Sequence, residues 1–210
     1  MGLRKTIKAV LTGDIVNSTR IPALKEKILL KELGAELSDH ATSFYRGDSF
    51  QVFMKEPEDA LRMALICRTM AIGLMGDGEV PTDIRISIGL GQVELPVKMP
   101  AVARGEAFVL SGHGLDELQH TAQRLLIRSG HVIADIGFQV MSDYLDSIYD
   151  QMTPKQAEVI FYLLRGQTQQ ETAIRQKKSK STISQLVNSG RWPEIERLLQ
   201  QYEMLIKQLL

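Results

Sequence analysis

Two short stretches carry carboxylates where they could do chemistry: Gly13-Asp14-Ile15-Val16-Asn17-Ser18-Thr19 and Arg46-Gly47-Asp48-Ser49-Phe50. Both lie beside apolar runs that read as strands, so Asp14 and Asp48 are expected at the ends of neighbouring strands. Two carboxylates converging there would suit a hard divalent cation, Mg²⁺ or Mn²⁺, which takes oxygen ligands. The stretch from Asp14 to Thr19 leads into a helix, whose first N–H groups can receive phosphate oxygens. Asn17, Ser18 and Thr19 are therefore the candidate nucleotide-binding residues. A cation over a triphosphate would stabilise the charge that develops in phosphoryl transfer. The same residues have plainer uses: Gly-Asp favours hairpin turns, and Asp14 can cap a turn or helix. The four histidines (His40, His113, His120, His131) show no metal-ligand spacing, and the single cysteine, Cys67, sits in an apolar helical run and reads as a buried thiol.

A second set of residues points to nucleic acid. Thr168-Gln169-Gln170-Glu171-Thr172-Ala173-Ile174, followed by Ser179-Lys180-Ser181-Thr182-Ile183-Ser184-Gln185-Leu186, has the pattern of a helix-turn-helix. Small Ala173 lets two helices approach, and Ile174, Ile183 and Leu186 are placed to form their shared core. Ser181, Thr182, Ser184, Gln185 and Asn188 offer polar groups to bases or phosphates. Lys177, Lys178, Lys180 and Arg191 would hold phosphates and make binding salt-sensitive. The turn position that usually carries glycine is Lys177, so the turn is expected to be longer or distorted. The plainer alternative is a small helical bundle used for dimerisation, whose lysines form a solvated face. Trp192 reads as a core anchor.

The charge distribution supports two modules. The 210 residues have zero formal net charge. From Met152 onward there are nine Lys and Arg against five Glu, a surplus of four that the front part must offset with an acidic excess of the same size. Hydrophobic residues make up 44% and charged ones 24%, which excludes disorder as the main state. The N-terminus has no secretory pattern and no apolar stretch approaches membrane-spanning length, so a cytoplasmic location without membrane contact is the expectation.

Elements must position these residues. Ile7–Thr12 reads as a buried strand, and Leu24, Ile28, Leu33 and Leu37 mark a helix with Pro22 near its start. Ala41–Tyr45 and Phe50–Met54 read as a hairpin, and a buried helix follows Pro57. Ile84–Leu90 alternates as a half-buried strand. Gly105–His120 reads as loop and helix, Arg124–Arg128 as a strand, and Asp135–Tyr149 as a helix with Ile136, Val140, Tyr144 and Ile148 at i+4 steps. The order β-α-β-β-α-β, with additions, fits a ferredoxin-like α+β sandwich over residues 1–150. Short helices alone follow over 151–210, opening on Thr153-Pro154, and the last carries Ile195, Leu198, Leu199, Tyr202, Ile206 and Leu209 as one apolar stripe.

Leu11–Thr19, Tyr45–Phe50 and Arg85-Ile86-Ser87-Ile88-Gly89 resemble, in that order, the motifs of class III nucleotide cyclases. The whole chain is more similar still to the SatD family, which joins such a domain to a C-terminal helix-turn-helix. Gly105-Glu106-Ala107-Phe108-Val109-Leu110-Ser111-Gly112 and Arg128-Ser129-Gly130 fit that family too. The resemblance implies a cyclase-like scaffold with Asp14 and Asp48 as metal ligands, and a homodimer. The departures weigh against cyclisation. Where the cyclases place a base-selecting lysine this chain has Phe44, and where they place a base-reading aspartate it has Pro100. Their transition-state asparagine and arginine fall at Val109 and His113. Without donors aimed at the developing charge, rates fall by orders of magnitude. Three functions remain in view. The favoured one is a regulator that binds duplex DNA through its helical part, dimerises and senses a metal–nucleotide through its front part. The others are an active nucleotide-converting enzyme and a protein-binding adaptor with both sites inactive.

Overall fold

A computed structural model describes residues 7–45, 47–76, 79 and 81–209. Arg46 of the glycine turn, the first six residues and Leu210 lie outside the described residues. The chain is mixed α+β, with one five-stranded sheet. β1 (Lys8–Ile15) is followed by a 3₁₀ turn (Ser18–Arg20), α1 (Ala23–Glu36), β2 (Ala41–Tyr45), β3 (Ser49–Met54), α2 (Ala60–Leu74) and β4 (Ile84–Gly91). Then come α3 (Glu106–Leu118), β5 (Leu125–Arg128) and α4 (Val132–Tyr149). Four helices complete the chain: α5 (Pro154–Leu164), α6 (Gln169–Gln176), α7 (Lys180–Ser189) and α8 (Trp192–Leu209).

The sheet order is β2-β3-β1-β4-β5. β1 lies antiparallel between β3 and β4, and β5 is parallel to β4. Side chains of a strand alternate between faces, so Ala9, Leu11 and Ile15 enter the large core, with residues of α1, α2 and α4. Val10 packs with Phe53, Ala107 and Phe108 on the other face, beneath α3. Close approach of α3 depends on glycine: a Cβ on Gly89 would lie 2.2 Å from the Ala107 carbonyl oxygen, and one on Gly114 would lie 2.1 Å from Ser87 Oγ. Because α3 covers this face, β4 is buried on both sides rather than half-buried as its alternation suggests.

The helical C-terminal part opens after α4, and its buried side chains belong to the same continuous core as those of the sheet part. Tyr202 donates its hydroxyl to the Pro57 carbonyl (2.8 Å), Arg62 donates to the Leu164 carbonyl (3.3 Å), and the Phe138 and Tyr202 rings lie 5.8 Å apart. One buried cation ties the sheet part together. Arg68 on α2, with no solvent exposure, pairs with Asp83 (2.7 Å) and Asp146 (2.6 Å), and its guanidinium lies 4.5 Å from the Tyr149 ring centroid. Burial disfavours the charge on Arg68, but the two aspartates outweigh it and hold its pKa above the ordinary value.

Two apolar assignments differ from the expectation. In α4 the buried apolar residues are Ala134, Phe138, Met141, Leu145, Ile148 and Tyr149, so of the i+4 series only Ile148 is inside, while Ile136, Val140 and Tyr144 are exposed. In α1, Leu29 and Leu33 are buried and Leu24 is exposed. Among the described residues, no helix is long and apolar enough to cross a membrane.

Candidate functional site

β1 does not end at Gly13-Asp14. It continues to Ile15, so Asp14 is a strand residue whose side chain shares the α3 face with Thr12. Its register partner on β4 is Arg85. Arg85 donates Nε to Asp14 Oδ1 (2.8 Å) and Nη2 to Oδ2 (3.0 Å), a two-point ion pair. The Asp14 carboxylate is only 9% exposed, and Gln119, just past α3, lies 3.5 Å from it. A guanidinium therefore occupies the place where the sequence reading put a divalent cation.

Asp48 is held elsewhere. It lies in the turn between β2 and β3, and its Oδ2 accepts from Ser18 Oγ (2.8 Å), while its carbonyl accepts from the Ile15 N–H (3.1 Å). Asp14 and Asp48 thus neighbour one another in the fold but are engaged by different partners. Among the described residues no three His, Cys, Asp or Glu side chains are grouped to hold a metal ion. As placed, the Asp14 carboxylate faces Arg85 and Asp48 faces Ser18, so a cation at the pair would compete with both.

The stretch holding Asn17, Ser18 and Thr19 does not lead straight into the helix. α1 begins only at Ala23, and Ser18–Arg20 form a three-residue 3₁₀ turn. Within that turn the N–H groups of Arg20 and Ile21 already donate to the Asn17 and Ser18 carbonyls. Asn17 adopts a left-handed conformation (φ 60°) and donates Nδ2 to the Pro81 carbonyl (3.1 Å). Thr19 is exposed. Val16 and Asn17 tie this loop to residues 81–83. Of the four positions where the cyclase pattern departs, Phe44, Val109 and His113 are exposed and Pro100 is buried.

The second candidate site is built by the helical part. Thr153 and Thr168 each close a capping box, with Gln156 and Glu171 respectively, and Ser179 caps α7 through the Thr182 N–H (3.1 Å). The backbone and hydroxyl hydrogen bonds from Thr168 hold the Glu171 carboxyl below its ordinary pKa. α6 and α7 are joined by Lys177-Lys178-Ser179, a short connection without insertion. Lys177 takes the left-handed conformation itself (φ 53°, ψ 39°), the geometry a glycine would adopt more cheaply. The turn is neither longer nor distorted; it is a regular turn with a lysine in the glycine position.

The core under this turn differs from the expectation at one residue. Ala173, Ile183 and Val187 are buried and Leu186 is half-buried, but Ile174 is 72% exposed. Ser181, Thr182, Ser184, Gln185 and Asn188 all lie exposed on α7. Lys177 and Lys180 are exposed at its N-terminal end. Lys180 donates to Gln170 (3.3 Å), and Lys178 pairs with Glu158 (3.7 Å). Arg191 is more tightly engaged: its Nη2 donates to Tyr144 Oη (2.6 Å), and Nε pairs with Glu194 (3.3 Å). It would have to leave α4 to reach a phosphate.

No family model matches the chain, and no curated protein does. Solved structures similar to it include two of a bacterial light-regulated adenylyl cyclase. One is 14% identical over 58% of this chain and 75% of that chain, with a TM-score of 0.38. The other is 13% identical over 60% of this chain and 43% of that chain, with a TM-score of 0.41. Likeness at that level says nothing of activity.

Proposed function

We propose that the chain is a DNA-binding transcriptional regulator, in which a ferredoxin-like, nucleotide cyclase-like sheet part carries a helix-turn-helix and two copies act together. The observation that carries this is the pairing of a regular three-residue turn with an exposed row of hydrogen-bonding side chains on α7. Ser181, Thr182, Ser184, Gln185 and Asn188 would meet base edges and sugar-phosphate oxygens in the major groove, flanked by the phosphate-seeking Lys177, Lys178 and Lys180. The resemblance to the SatD family, with the same order of parts, points the same way. A metal–nucleotide at Asp14 and Asp48 would first have to displace Arg85 and Ser18, and DNA contact requires no such ligand. Nucleotide conversion is disfavoured for the same reason, together with the apolar side chains of Phe44 and Pro100 at the family's base-reading positions and of Val109 at a transition-state position.

Mobility-shift titration of the full chain on duplex DNA tests the reading. Lys180→Ala should weaken binding to every sequence and lower the salt slope by about one. Gln185→Ala should instead change sequence preference, at a cost of about 1–3 kcal/mol on the favoured site. No binding to any duplex at low salt refutes the assignment.

A further inference from the structure

A cluster of exposed apolar side chains lies on α4. Val132, Ile133, Ile136, Val140 and Tyr144 are each between 42% and 78% exposed and fall on one side of the helix, opposite Phe138 and Leu145 in the core. Side chains of this size and exposure present on the order of 500 Å², as large as the largest patch of an ordinary monomer. Beside the stripe is a groove of about 490 Å³, lined by Gly137 and Met141 of α4, Leu198, Met204 and Leu205 of α8, and Lys207 near the end of α8. Gly137 sits at its wall, where a Cβ would meet only Leu205 Cδ1, at 3.9 Å.

We propose that this surface pairs with a second copy of the chain, the α4 stripe of each copy seated in the α4–α8 groove of the other. The proposal rests on the two-copy part of the function stated above and is independent of its DNA contact.

Three features select this occupant. Ridge and groove lie side by side on one chain, so a two-fold rotation brings each ridge onto the other groove, as an isologous interface requires. Their charges are opposite: outside the core α4 carries Asp135 and Asp143 and no Lys or Arg, while the groove carries Lys207. Asp143 lies beside Tyr144 on the stripe and accepts from Gln139 Nε2 (2.9 Å). A membrane surface is disfavoured by the same count, because helices that lie on anionic lipid carry Lys and Arg along their polar flank. Stripe and groove together approach the roughly 800 Å² per partner of a standard interface. The stripe also touches the helical part, through the Arg191 guanidinium stacked 5.1 Å from the Tyr144 ring centroid. Pairing here would fix Arg191, which leads into α8, in both copies.

Sedimentation equilibrium of the full chain tests the proposal. The wild type should be dimeric at micromolar concentration. Ile136→Glu and Val140→Glu should each raise the dissociation constant at least about 100-fold, as removal of an interface anchor does. Leu24→Glu, an exposed apolar position on α1, should leave it unchanged. Lys207→Glu should weaken the dimer, and Asp143→Lys added to it should restore pairing, which no unfolding effect can imitate. A wild type that stays monomeric to about 100 µM overturns the proposal, as does an Ile136→Glu variant that pairs like the wild type. A monomer that still shifts DNA removes this surface and leaves the DNA reading intact; a dimer that shifts no DNA does the reverse.

Discussion

Replacing Arg85 with alanine separates the two accounts of Asp14. In the structure, Arg85 holds an almost buried carboxylate with two charge-assisted hydrogen bonds of 2.8 and 3.0 Å. Removing one partner of a buried pair costs about 3–5 kcal/mol, because the other charge is left without compensation. Arg85 is 22% exposed, so water offsets part of the loss and about 2–3 kcal/mol is expected. For a chain of this size that lowers Tm by roughly 5–10 °C. The vacated carboxylate should then accept a divalent cation. Mn²⁺ at about ten times its dissociation constant stabilises by about 1.4 kcal/mol, so it should recover several degrees. The wild type should respond far less, since a cation must displace the guanidinium, and 2–3 kcal/mol corresponds to a roughly 30- to 150-fold weaker affinity. Adding Asp14→Asn to Arg85→Ala should abolish the Mn²⁺ response. Differential scanning fluorimetry of the three proteins across a Mn²⁺ and Mg²⁺ series reads all of this. A wild type stabilised by several degrees below about 1 mM Mn²⁺, with the effect lost in Asp14→Asn, would refute the argument and restore the metal site.

Alkaline conditions should destabilise the protein earlier than its neutral net charge suggests. Burial, with Glu36 nearby, pushes the Cys67 thiol up from 9.0 to about 12, and burial likewise raises Tyr149 and Tyr202. The folded state therefore keeps protons that the unfolded chain releases, so stability is full below pH 9 and falls as pH rises, by about 1.4 kcal/mol per pH unit from Cys67 and more steeply once the unfolded tyrosines ionise. Urea midpoints between pH 8 and 11 would show it, and a flat profile, or one unchanged by Cys67→Ala, would count against it. Lys177→Gly should stabilise by about 0.5–1 kcal/mol, the relief of a left-handed non-glycine residue less the entropy added to the unfolded chain, and should weaken DNA binding several-fold by removing one phosphate-seeking charge. A destabilised Lys177→Gly variant would mean that the turn is not left-handed at this residue.

Much of the element order can be read in the sequence because local signals repeat at each boundary. Thr153-Pro154 marks one helix start in the sequence, and Thr153, Thr168 and Ser179 each cap a helix in the structure. Register leaves no such mark. Asp14 and Arg85 are 71 residues apart and become partners only because β1 and β4 pair antiparallel in one of several possible alignments. A reading that finds both strands still cannot see that a cation already faces the carboxylate. Ile174 misleads differently: the adjacent Ala173 fills the space between α6 and α7, so the larger side chain turns to solvent.

α4 shows the limit of periodicity most plainly. Its sequence holds two apolar stripes: Ile136, Val140 and Tyr144 at four-residue steps, and Ala134, Phe138, Met141, Leu145 and Ile148 on the opposite side. Either stripe alone would define an amphipathic helix. The tertiary structure chooses between them, because the second side presents Phe138 to Tyr202 and Asp146 to Arg68, and the first offers no partner for that buried guanidinium. Once Arg68 is placed, leaving it unpaired would cost more than exposing three apolar side chains. The exposed stripe is therefore the surplus of a helix written apolar on both sides, and the proposed pairing of two copies would use it.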